Sequence, residues 1–149
     1  MNTYQKAFDL NKQANAYALQ MRYSQAIISY KDALSLYLSL AKHNPSEHCL
    51  AIAHIFSNLA IIYLNLERFE MSDGFHENAL KMHRALAKVN PNKYALELAL
   101  CLVDGVRYLK QHPFTLYEAE MAVNRIKKLK ESSALLCIIR KLHAPTLEQ

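Results

Sequence analysis

The sequence predicts an all-α fold, an α-α superhelix of about three helix pairs closed by a C-terminal capping helix. Three observations carry this expectation. The chain has only two glycines and four prolines in 149 residues, too few for the many tight turns of an all-β protein. Apolar residues recur at three- and four-residue steps over long stretches. Finally, the phrase LAKHNP at 40–45 returns as LAKVNP at 86–91, a fixed spacing of the kind that marks stacked repeats.

The spacing extends well beyond six residues. Aligning 26–45 with 72–91 gives seven identities, among them Ala33 with Ala79, Leu34 with Leu80, and Asn44-Pro45 with Asn90-Pro91. The same offset pairs Ala14 with Ala60, Tyr17 with Tyr63, and Arg22 with Arg68. Carried forward, it pairs Leu50 with Leu96 and Ala53 with Ala99.

Seven helices follow, expected at 3–20, 23–43, 46–66, 69–89, 93–111, 115–131 and 133–143. The third is the clearest: Ile52, Ile55, Phe56, Leu59, Ala60, Tyr63 and Leu66 fall on one face. Leu64 to Arg68 reads as a short turn, and Phe69, Phe75, Ala79, Leu80, Met82, Leu86 and Ala87 continue the fourth helix. Each Asn-Pro ends one pair and starts the next. Proline disfavours helical geometry in the residue before it, yet fits the first helical position, and Asn44 is a good N-cap with Glu47 three residues on. In the third unit, Leu98, Leu102, Val106 and Leu109 carry the stripe. The turn at His112-Pro113-Phe114 carries one extra residue, Thr115 is the expected N-cap of the sixth helix, and Ser132 or Ser133 that of the last. A terminal helix of that kind covers the end of a stacked array. No linker rich in Gly, Ser or Pro divides the chain, so one domain over 1–149 is expected, with units at about 3–45, 46–91 and 92–131 and the cap at about 133–143.

Composition bounds the function. Cys49, Cys101 and Cys137 are an odd, widely spaced set without a CxxC pair, which suits reduced thiols acting as small buried hydrophobes. The N-terminal stretch MNTYQKAFDLNKQ has no apolar signal core, and the longest apolar run, near Leu59 to Leu66, is far short of the roughly 20 residues of a membrane helix. A cytoplasmic protein without membrane association is expected. The net charge of +5 is concentrated between Arg125 and Lys141, where six basic residues accompany one acid, Glu131. Nucleic-acid binding there is the weaker expectation, because no aromatic residues interleave for stacking, and a solvated helix face explains the charge.

No catalytic pattern emerges. Gly74 and Gly105 stand alone, without a phosphate-cradling loop, and Ser72-Asp73-Gly74 is not a nucleophile elbow. His48 and Cys49 are sequence neighbours, about 100° apart on a helix, and so form no dyad. His43, His48, Cys49, His76 and His83 lack the i, i+4 pairing and acidic partners of a helical zinc site. The expectation is a protein that is not an enzyme and uses no cofactor or metal.

The residues resemble the tetratricopeptide repeat family. Leu10, Ala14, Tyr17, Tyr23, Ala26, Tyr30 and Ala33 fit its pattern in the first unit, and Phe56, Leu59, Ala60, Tyr63, Phe69, Ser72 and Ala79 in the second, with His76 in place of the second aromatic. At 46 residues the unit exceeds the usual 34 and is similar to a long bacterial variety reading ALxLYRxLAxxNPxxxxxxLAxxLxNLA, which residues 33–60 follow closely. The resemblance spans about residues 7–130. It implies a binding scaffold, as in the partner-binding sensor arms of larger signalling or nucleotide-switch proteins.

In that family the first helix of each pair lines a concave groove. The resemblance therefore implies a groove at Asn11, Asn15, His54, Ser57, Asn58, Ile61, Asn65, Val103, Asp104 and Arg107, taking a peptide or protein segment. Asparagine amides supply donors and acceptors for a peptide backbone; the alternative is a merely solvated polar face. The carboxylate clamp of cochaperone members is not expected, since Asn11, Leu100 and Asp104 stand where the family has basic residues. Other readings are a small chaperone like those of type III secretion, whose repeats are usually the short form, and self-association through terminal repeats.

Overall fold

The computed structural model describes residues 1–124 and 130–143, with the side chains of 130–133 left aside. Seven helices occupy those residues, and no strand occurs among them: α1 Thr3–Leu19, α2 Tyr23–Ala41, α3 Pro45–Asn65, α4 Phe69–Val89, α5 Pro91–Tyr108, α6 Thr115–Asn124 and α7 Lys130–His143. The all-α expectation holds, with packing between consecutive helices.

The 46-residue spacing has a backbone cause. After α1, the Arg22 N–H bonds the Tyr17 carbonyl at 2.9 Å and Met21 N–H bonds Ala18 at 3.0 Å. After α3, Arg68 bonds Tyr63 and Glu67 bonds Leu64, both at 2.9 Å. These are two copies of the Schellman motif, closing the last carbonyls of each helix through a left-handed residue, Met21 with φ 57° and Glu67 with φ 58°. Glycine would ordinarily take this place.

The helix starts repeat too. Pro45 and Pro91 each open a helix, at the position where a missing N–H costs no hydrogen bond. Asn90 accepts from Lys93 N–H at 3.2 Å, whereas the Asn44 amide nitrogen donates to the Glu47 carboxylate at 2.6 Å. α3 and α5 therefore begin at the prolines, one and two residues ahead of the expected 46 and 93.

Two expected boundaries move further, and one expected cap changes place. α5 stops at Tyr108 instead of 111, with Lys110 as its left-handed residue. Thr115 is the first residue of α6 and not its N-cap; its hydroxyl donates back to the His112 carbonyl at 3.0 Å, while His112 Nδ1 accepts from the Phe114 N–H. α7 begins at Lys130, so Ser132 and Ser133 lie within it and not before it. The expected tail of the sixth helix, 125–129, lies outside the described residues.

The chain divides into two compact units, Met1–Met82 and His83–Gln149, with the boundary inside α4. In the first unit the core gathers Ala7, Ala14, Ala26 and Ala33 with Tyr30, Ile52, Ile55 and Leu59. Alanines let the helices approach, and the larger side chains fill the remaining space, each contributing about 1.5–3 kcal/mol on full burial. Phe75 of α4 stacks on Tyr63 of α3, centroids 5.4 Å apart and rings 2° from parallel, and the buried Ser72 hydroxyl donates to the Ala60 carbonyl at 2.7 Å. In the second unit α5 packs on α6, and α6 on α7, around Leu98, Leu102, Val103, Leu116 and Ile139.

α3 meets the length and composition of a membrane span, with a mean hydropathy of 1.4 over 18 residues, 44% of them buried. Asn58 and His54 interrupt the contiguous apolar run of α3 without lowering its average enough to fall below that composition. The buried side chains of α3 form the core of the first unit.

Candidate functional site

Four of the expected groove residues come together in the first unit. Asn15 of α1 and Asn58, Ile61 and Asn65 of α3 line a cavity of about 320 Å³. Tyr23 and Tyr30 of α2, with Ala18, Leu19 and Ile62, complete its walls. The α3 residues recur at three-, four- and seven-residue steps, so the helix presents them on one face, next to the face that Ile55 and Leu59 turn to the core, with Ile62 at the border.

The polar floor is tightly tied. Tyr30 is 1% exposed, and its hydroxyl donates to Asn15 Oδ1 at 2.5 Å. Asn58 Nδ2 approaches the same oxygen at 3.4 Å. Burial pushes the Tyr30 hydroxyl up to about 12, and the Asn58 side chain, hydrogen-bonded to it, draws it back by less. The phenol is therefore a neutral donor at any ordinary pH.

The other expected residues go elsewhere. Asn11 is half-buried, and its Oδ1 is buried without a hydrogen-bond partner. His54 is exposed and Ser57 half-buried on α3, both outside the cavity lining. Val103 corrects the reading outright: at 2% exposure it belongs to the core of the second unit. Asp104 and Arg107 also lie in the second unit. Burial raises the Asp104 carboxyl, the Arg107 charge opposes that, and the Arg107 guanidinium sits over the Tyr108 ring at 5.2 Å.

No protein-family model matches this chain, and no curated protein does.

Sequence reasoning missed two features. Tyr30 stands in the sequence only as a position of the repeat pattern, although a tyrosine in place of phenylalanine signals that a buried hydroxyl has a partner. The second is a cavity of about 600 Å³ in the second unit, walled by Leu98, Phe114, Tyr117 and Met121. Beside it Arg84 forks onto Glu118, Nε to Oε1 at 2.9 Å and a terminal nitrogen to Oε2 at 2.8 Å. The 34-residue separation of this pair leaves no periodic signal.

The histidines have packing surroundings. His48 is buried against the rings of Tyr4 and Tyr37, at 5.8 and 6.1 Å. His76 and His83 are also buried, and among the described residues no three His, Cys, Asp or Glu side chains converge as metal ligands. All three cysteines are thiols outside any disulfide; Cys101 is buried and Cys49 half-buried, but Cys137 is exposed, contrary to the expectation of a buried hydrophobe. Of the basic 125–141 segment, Arg140 and Lys141 lie in the last turn of α7, whereas the side chains of 125–133 are outside the described residues.

Proposed function

We propose that this chain is a non-catalytic protein-interaction scaffold of the tetratricopeptide type, binding an extended peptide or protein segment in the first unit. The observation that carries the reading is the cavity between α1 and α3, lined by Asn15, Asn58, Asn65 and Ile61. Amide side chains along an apolar trough suit a backbone that must keep its hydrogen bonds when it leaves water. The repeated Schellman turns and Asn-Pro starts support a built repeat, the architecture in which such troughs serve as binding surfaces. The proposed setting is the cytoplasm.

The test is affinity purification of partners from the native cell, followed by calorimetry with each purified partner. Asn58→Arg, which introduces bulk and charge into the trough, is expected to weaken the true partner at least about tenfold, or 1.4 kcal/mol. Unchanged affinity of every partner for that variant sinks the reading.

A further inference from the structure

We infer that the first-unit cavity selects an uncharged segment, gripping one backbone peptide group beside one apolar side chain, with Tyr30 as the positioning residue that sets the polarity of the grip. This rests on the reading of that cavity as a peptide site and specifies what it accepts.

The hydrogen-bond arithmetic starts at Tyr30. Its single hydroxyl hydrogen goes to Asn15 Oδ1 at 2.5 Å. Asn58 directs Nδ2 toward the same oxygen at 3.4 Å. Asn15 therefore turns its oxygen to the tyrosine, and Asn58 turns its nitrogen. Each amide has one other end. Asn15 Nδ2, a donor, and Asn58 Oδ1, an acceptor, are left for a ligand at the cavity wall. One donor beside one acceptor is the complement of a peptide C=O and N–H.

The surroundings choose the side chain. Leu19 and Ile61 are 87% and 40% exposed, yet they border the cavity, with Ala18 and Ile62 behind them. None of the lining residues carries a charge. A lysine, arginine or carboxylate seated there would lose water and gain no counter-charge, whereas an aliphatic side chain would cover surface that water now meets. Asn65 lies two helical turns beyond Asn58, about 10 Å along the axis, which an extended segment covers in about three residues. The volume of about 320 Å³ suits a short segment of that kind.

The test begins with a random dodecapeptide library on phage, selected against the full chain. Binders are expected to share a Leu, Ile, Met or Val flanked by uncharged residues, and to fail on Asn58→Ala. A synthetic binder is then compared with its ester analogue, in which the gripped N–H is replaced by oxygen. The ester should bind the native protein about three- to tenfold more weakly, the loss of one hydrogen bond. In Tyr30→Phe, which keeps the ring, that amide-to-ester ratio should fall toward one; Asn15→Ala, on an exposed helix face, should do the same and serves if the first variant melts early. Binders that need Asn58 but centre on a charged residue, or a ratio that both variants leave intact, overturn this inference and leave the peptide site standing. Selection of nothing, or of peptides indifferent to Asn58→Ala, overturns both.

Discussion

Met21 and Glu67, 46 residues apart, hold the same left-handed backbone, φ 57° and 58°, each two residues beyond a helix that the tyrosine third from its end helps to close. Neither is glycine, so each stores the Cβ cost of that conformation. Met21→Gly and Glu67→Gly should each stabilise the chain by about 0.5–1 kcal/mol, read as a higher urea midpoint with an unchanged slope. Both side chains are exposed, so little packing is lost. A lowered midpoint in both would contradict the repeated turn.

Ser72 bonds the Ala60 carbonyl from a site 1% exposed. Ser72→Ala removes the donor and is expected to cost about 1 kcal/mol in chemical denaturation. Ser72→Val should cost more, because it also adds a methyl group to a site only 1% exposed.

The Tyr30 hydroxyl, pushed up to about 12, holds its proton more tightly folded than unfolded, where its ordinary value is 10.0. Its contribution to stability is complete below about pH 10 and is lost as pH rises toward 12. Denaturation midpoints should therefore fall between about pH 10 and 12, and fall less steeply in Tyr30→Phe. Tyr37, raised in the same direction by burial, keeps a residual slope in that variant. Equal slopes in the two proteins would show that the Tyr30 phenol is not shielded.

Arg84 and Glu118 meet in a two-point ion pair, but their side chains remain 46% and 39% exposed. Water and salt screen such a pair, so a double-mutant cycle through Arg84→Met and Glu118→Gln should give a coupling of about 1 kcal/mol or less, shrinking at high salt. A coupling that salt leaves unchanged would mean the pair is drier than its exposure indicates.

The period was legible because it resides in local chemistry. Asn-Pro starts and Schellman ends depend on residues within a few positions of each other, and both recur at the same step. That step next lands on Pro113, and there it breaks. Proline cannot take a positive φ, so the left-handed residue moves forward to Lys110 and α5 ends early. Val103 shows the same limit in packing. It occupies the place that Ser57 holds one unit earlier; Ser57 is half-buried, whereas the apolar valine goes into the core.

The amino-acid sequence by itself determined the helical class, the 46-residue step and the asparagines of α1 and α3, because propensity, capping and apolar period act over a turn or two of chain. Only the tertiary structure decided which of those asparagines share a cavity and which way two of their amides turn. That outcome depends on Tyr30, 15 residues from Asn15 in the chain and 2.5 Å from it in space. A buried hydroxyl must find its acceptor, and helix packing alone determines which acceptor is within reach.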